Sequence, residues 1–220
     1  MIRQEIVDRV MERRGRLHLY EHLDPRRTAL VVIDMQNAFV AKGAPVEVPG
    51  ALGIVPAINR LAAELRKRGV PVIWVCHLNE AGGRDWERFF GSFVAPQNRS
   101  RAAQALSAGD PLQRLHPELN VAPGDLATTK NRYSALIGQS SNLGALLKQH
   151  NIDTLLIAGT KTNVCCECTA RDAMMLDYKV VMLSDCTAAL SDEEHRATLE
   201  NVIQQFGDVM TGDEVLQILE

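Results

Sequence analysis

Residues 153–173 read DTLLIAGTKTNVCCECTARDA. The opening DTLLIAG is a short apolar run, of the length and composition of a strand buried on both faces. Gly159 and the tight polar segment Thr160–Asn163 interrupt it, and a helix is predicted from about 163 to 176. A buried strand that turns sharply into a helix is the unit from which parallel α/β sheets are assembled.

The same alternation continues in both directions. Downstream, KVVMLSD (179–185) reads as a strand, 192–205 as a helix, and Asp208–Met210 as a short last strand. Upstream, ALVVID (29–34) and PVIWVCH (71–77) read as strands. Between them a helix is predicted over 55–68, with Val55, Ile58, Leu61, Ala62 and Leu65 on one face and Gly69 as its cap. LATTK (126–130) is a short strand that leads into a loop and a helix over roughly 140–149. Residues 2–14 form an amphipathic helix through Ile2, Ile6, Val7, Val10 and Met11, and Asp24-Pro25 marks a turn. Residues 79–124 break the pattern with Gly, Pro and polar positions. They are predicted as an irregular insertion with short helices, carrying Trp86, Phe89 and Phe90 near the site. Strand–helix alternation implies right-handed crossovers. The expected fold is therefore α/β: a three-layer α/β/α sandwich around a central, mostly parallel sheet of about six strands. One domain over 1–220 is expected, with 1–26 as an N-terminal helix and arm.

Bulk properties exclude several classes. The net charge is -3 and the pI about 6.1. Basic clusters at Arg13–Arg16 and Arg66–Arg68 have acidic neighbours and read as solvated helix faces, so no nucleic-acid partner is expected. The N-terminus lacks the apolar core of a signal peptide, and no segment has the roughly 18 apolar residues of a membrane span, so no membrane partner is expected. Five cysteines, an odd number in a chain with an ample core, argue against a disulfide scaffold and for a reducing cytoplasm.

Ligands of open parallel sheets bind at the carboxyl ends of the strands. There the sequence offers Asp34, Lys130 and, just beyond its strand, Cys165 at the start of a helix. A thiol attacks a carbonyl as the thiolate, and both a helix N-terminus and Lys130 would lower its pKa. Asp34 suits a general base that later returns the proton to a leaving nitrogen. Taken singly, each has an ordinary alternative: a buried structural cysteine, a helix N-cap, a solvated lysine. Cys165, Cys166 and Cys168 share one helical turn, point different ways and lack a second Cys pair or paired His, so no metal is expected.

VVIDMQNAF (31–39), ATTKNRYSA (127–135) and GTKTNVCCECTARDA (159–173), followed by KVVMLSDCTAA (179–189), together resemble the isochorismatase-like cysteine hydrolase superfamily over about residues 27–210. The resemblance implies Asp34 as base, Lys130 as the site lysine and Cys165 as nucleophile. It implies a cis peptide at Thr160–Lys161 and an oxyanion hole from the backbone N–H groups of Lys161 and Cys165. Lys161 departs from the small residue of many relatives, which leaves its side chain pointing away or meeting a neighbouring subunit. Cys166 and Cys168 are expected to pack.

AKGAPVEVPGA (41–51) lacks the histidines with which nicotinamidases hold a metal, and the nucleophilic cysteine distinguishes the chain from vinyl-ether-cleaving isochorismatases. NVCCECTARDAMML most resembles the ureidoacrylate amidohydrolase and biuret or triuret hydrolase branch. The implied activity is cofactor-free hydrolysis of a carbon–nitrogen bond in a small ureido or carbamoyl compound, through a thioester-like intermediate, in a homodimer or homotetramer. An N-carbamoylsarcosine amidase-like or other small-amide hydrolase is the alternative, and a catalytically silent ligand binder the contrast. Candidate substrate contacts are Asn37, Phe39, Trp86, Tyr133 and Gln205.

Overall fold

The computed structural model describes residues 2–220. In chain order its elements are α1 (Gln4–Arg14), β1 (Thr28–Ile33), α2 (Asn37–Val40), α3 (Ala51–Lys67), β2 (Val72–His77), α4 (Glu87–Ser92), α5 (Pro96–Ala105), β3 (Leu126–Lys130), α6 (Leu143–Gln149), β4 (Thr154–Thr160), α7 (Glu167–Met175), β5 (Lys179–Ala188), α8 (Asp192–Gln205), β6 (Asp208–Met210) and α9 (Gly212–Ile218). The strands form one six-stranded sheet in the order β3-β2-β1-β4-β5-β6. Every pairing is parallel, with Ile33 opposite Val75 on one side and Gly159 on the other. The direction of winding reverses between β1 and β4, which opens a crevice at their carboxyl ends.

Alternate strand residues feed two cores. Leu30, Val32, Trp74, Leu156 and Leu183 pack with Ile58, Leu61 and Leu65 of α3 and Val215 of α9. Val31, Ile33, Val75, Ile157 and Met182 pack with Val10 of α1, Leu147 of α6, Ala173 of α7 and Val202 of α8. Helices thus cover both faces of the sheet, which explains why its central strands are apolar almost throughout. Among the described residues, no helix is long and apolar enough to cross a membrane.

Three elements differ from expectation. α3 begins at Ala51 rather than 55, behind Gly50, which offers no side-chain cap. α9 is absent from the sequence expectation, although Thr211 and Glu214 form a reciprocal capping box that is readable as T-x-x-E. The helix expected from 163 begins as a π-helical turn, Thr162–Cys166, and becomes α-helical at Glu167. The insertion contains the two short helices α4 and α5, and Phe90, Ala102 and Ala103 give it a small core of its own.

Gly159 lets β1 and β4 approach at the crevice. Its φ is +107°, and a Cβ there would lie 2.0 Å from the Ile33 carbonyl oxygen. β5 accommodates this point with a register shift opposite Ile157 and Gly159. The neighbouring groups are backbone in the centre of the sheet, so neither can yield cheaply. Gly159→Ala is expected to lower stability by about 3 kcal/mol, measured by urea denaturation. A loss below about 1 kcal/mol would show that the two strands have slack there.

Candidate active site

β1 ends at Ile33, and Asp34 turns the chain with φ 53°. The Asp34 N–H donates to the Val75 carbonyl at 2.8 Å, and the Asp34 carbonyl accepts the Thr160 hydroxyl at 2.9 Å. β2 and β4 therefore both hold the backbone that carries this carboxylate. Lys130 is the last residue of β3, and its side chain reaches across the end of β2. Its Nζ donates to Asp34 Oδ2 at 2.8 Å and to the Arg132 carbonyl at 3.1 Å, and lies 3.1 Å from His77 Nδ1. Neither side chain of the Asp34–Lys130 pair has any solvent exposure. Cys165, in the turn after β4, is buried beside them. The second Asp34 oxygen, Oδ1, accepts no hydrogen bond among the described residues, and the neighbouring Cys165 thiol interacts with the carboxyl.

Burial raises the pKa of Asp34, and the Lys130 ammonium and Cys165 thiol offset it only in part. Burial would lower the pKa of Lys130, but Asp34 outweighs it and holds the ammonium charged. Each charge is tolerated because the other is present. Cys165 contradicts expectation: burial first, and the Asp34 carboxylate second, push its pKa up against the opposing Lys130. The resting sulfur is a thiol. A carboxyl with a raised pKa is correspondingly a stronger proton acceptor than a surface carboxylate.

The sequence marks His77 only as the end of a strand. Burial, and then the Lys130 ammonium, lower its pKa well below 6.5. The ring is neutral, so the two contacts decide its tautomer. Nδ1 accepts from Lys130, and the protonated Nε2 donates to Asn79 Oδ1 at 2.9 Å. Asn79 donates in turn to Asp85 at 3.2 Å, as does Asn131 at 3.1 Å, and Arg132 donates to the Asp85 carbonyl at 2.9 Å. A polar chain thus runs from the buried ammonium into the insertion. Gln36 pins the same edge: its side chain accepts from the His77 N–H at 2.6 Å and donates to the His77 carbonyl at 2.9 Å. His77 lies at a strand's carboxyl end, the same positional signal that identified Asp34 and Lys130.

A cavity of about 620 Å³ opens beside Cys165. Phe39, Trp86 and Tyr133 line it, together with Lys161. The structure does not bring Asn37 there: its amide donates to the Pro111 carbonyl at 3.1 Å on the exposed side of α2. Gln205 is also misplaced by the sequence reading. Its side chain accepts from Arg13 at 3.1 Å against α1. The cause is topological, since α8 leaves the carboxyl edge after β5 and returns to the opposite edge before β6. Lys161 follows a cis peptide from Thr160. Its N–H donates to no group among the described residues. Cys166 is fully buried in the core, and Cys168 partly so. Arg171 pairs with Glu167 at 2.5 Å and lies over the Phe206 ring at 4.1 Å.

The isochorismatase domain family model matches residues 28–214. The ureidoacrylate amidohydrolase of Rhizobium rhizogenes is 36% identical over 203 residues, covering 86% of this chain and 82% of that one. A probable inactive nicotinamidase of Arabidopsis thaliana is 36% identical over 175 residues, covering 79% of this chain and 87% of that one. The crystal structure of a cysteine hydrolase from Pseudomonas syringae pv. phaseolicola superposes with a TM-score of 0.83 at 30% identity, covering 92% of this chain and 96% of that one.

The neutral His77 ring has a consequence for folding. Between its depressed folded pKa and the unfolded value near 6.5, the unfolded chain binds a proton that the folded chain does not. Stability therefore falls as pH drops below about 6.5, by about 1.4 kcal/mol per pH unit for one such group. His195, whose pKa burial also lowers, adds in the same direction. Urea titrations at pH 7, 6 and 5 should show this slope, and His77→Gln should remove about one proton's share of it. An unchanged slope in the variant would mean that His77 is not held neutral.

Proposed function

The chain belongs to the isochorismatase family, and on that premise we propose that it is a cysteine-dependent amidohydrolase cleaving a carbon–nitrogen bond of a small ureido or carbamoyl compound. The convergence of Asp34, Lys130 and Cys165 carries this reading: a thiol borders a cavity, next to a carboxylate with one oxygen unengaged. In the first step the thiol proton passes to Asp34 Oδ1 as sulfur attacks the carbonyl carbon. The carbonyl electrons move to oxygen, giving a tetrahedral oxyanion. Backbone N–H groups of Lys161 and Cys165 are the proposed donors to it, each worth about 3–4 kcal/mol where such a donor is preorganised. The unpartnered Lys161 N–H supports that assignment. The Lys130 ammonium stabilises the negative charge as it moves from carboxylate to substrate.

Collapse of the oxyanion expels nitrogen, which takes the proton from Asp34 and leaves as ammonia or an amine. A thioester, or a carbamoyl thioester from a ureide, remains on Cys165. Water then attacks it with Asp34 again as base, and the thiol is restored. The ureido or carbamoyl class is favoured by the similarity to the ureidoacrylate amidohydrolase and by the absence of histidine from residues 41–51. The silent-binder reading is disfavoured because all three positions hold competent side chains.

Ammonia release over a panel of ureides and simple amides tests the reading. Cys165→Ala should lose at least about a thousandfold in kcat/KM, and Asp34→Asn nearly as much, as expected when residues act as one unit. Far-UV circular dichroism of both should match the parent. Retention of near-full rate by either variant on the best substrate would refute the mechanism.

A further inference from the structure

The cavity beside Cys165 is built for more than a ureide alone. At about 620 Å³ it falls in the range that holds substantial organic ligands. Of the chain's 5 Phe, 2 Trp and 3 Tyr, six line this one space: Phe39, Trp86, Phe89, Phe90, Phe93 and Tyr133. A series of near-parallel rings leads outward from the triad. His77 stacks with Trp86 at 6.0 Å and 16°, Trp86 with Phe89 at 4.6 Å and 27°, and Phe89 with Phe93 at 6.2 Å and 18°. Tyr133 meets Trp86 edge-on at 4.8 Å. Phe93 closes the series with 78% of its surface exposed. The apolar wall therefore runs from the catalytic floor to the mouth, and its outer end lies uncovered.

The charge of the cavity is one-sided. Arg101 and Lys161 line it, and among the described residues no Asp or Glu side chain does. Behind the wall, Asp34 and Lys130 neutralise each other and His77 is uncharged. Two cations thus face the cavity without a compensating carboxylate, in a chain whose net charge is -3. Arg101 commits one N–H to the Gly43 carbonyl at 3.0 Å and keeps the remaining donors of its fork. Lys161 lines the same space, next to Val164 and Cys165.

Resting on the amidohydrolase reading, we infer that the substrate joins the scissile amide or ureide to a planar apolar body and a carboxylate, as an N-carbamoyl aromatic amino acid does. The carbonyl sits at Cys165, the ring packs along Trp86, Phe89 and Phe93, and the carboxylate meets Lys161 and Arg101. Planar apolar surface matches the wall, and an anion is the group that two uncompensated cations select.

The test is a kinetic comparison of four compounds on the full-length protein: N-carbamoylphenylalanine, its neutral carboxamide of the same shape, N-carbamoylglycine and biuret. kcat/KM should be highest for N-carbamoylphenylalanine. It should be at least tenfold lower for the carboxamide, for N-carbamoylglycine and for biuret. Lys161→Met and Arg101→Met should each narrow the acid-to-carboxamide ratio to about threefold or less, and Phe93→Ser should narrow the phenylalanine-to-glycine ratio. Cys165-dependent turnover with equal rates on acid and carboxamide, or a preference for biuret, would overturn this inference and leave the amidohydrolase reading standing. Absence of Cys165-dependent turnover for all four, with turnover of another ureide or simple amide, would likewise overturn this inference alone; absence across the whole panel of ureides and simple amides would overturn the amidohydrolase reading, and this inference with it.

Discussion

The ion pair between Asp34 and Lys130, 2.8 Å apart and wholly out of water, is the constraint around which this end of the molecule is organised. Burying either charge alone would cost several kcal/mol, so each residue requires the other at close range. Meeting that requirement takes strands that are far apart in sequence. Lys130 reaches Asp34 only because β3 and β1 flank β2 in parallel, with His77 opposite Lys130 at the end of β2. The sheet order is thus what permits the pair, and the pair rewards only this register. A slip of one residue would turn Lys130 to the other face.

The pair also sets the state of its neighbours. Burial, reinforced by an ammonium 3.1 Å away, keeps the His77 ring neutral, and a neutral ring can pass a hydrogen bond on to Asn79 and so to Asp85. Asp85 stands at the start of the aromatic insertion, next to Trp86. The insertion is consequently tied to the charged centre by polar contacts and by ring stacking at once. Its aromatic residues are placed relative to the same atoms that hold Lys130.

The sequence disclosed what depends on local pattern. Asp34 and Lys130 end apolar runs, and a run short enough to be a buried strand points its last residue at the ligand edge. Cys165 follows Gly159 and a polar turn, a signature of strand passing to helix. His77 ends a strand in the same way, but its role depends on the chemistry of a neighbour 53 positions away, which no local pattern contains. Gln205 is not placed by its sequence, because position at the end of a helix does not reveal which edge of the sheet that helix has returned to. The start of α3 at Ala51 is not legible because Gly50 offers no side-chain cap to mark it. The aromatic wall was legible as spacing in Trp86, Phe89 and Phe90, and illegible as a surface until the insertion folded back over the sheet.

Burial first, and the Asp34 charge second, raise the pKa of Cys165, and this fits the proposed chemistry. A resting thiolate beside the Asp34 carboxylate would place two anions against one ammonium in a buried site, a net charge with no compensation. With a neutral thiol the site carries one anion and one cation. When the thiol proton moves to Asp34 during attack, the carboxylate becomes neutral as the substrate oxygen becomes negative. The count is again one anion and one cation, with Lys130 unchanged. Neither step of the transfer creates unbalanced charge in a low-dielectric interior, where imbalance is most costly. A nucleophile with a lowered pKa would have been stored as the thiolate, at the expense of that balance. In the proposed mechanism the proton would leave sulfur only when substrate supplies an oxygen to receive the charge, so the carbonyl itself would activate the thiol.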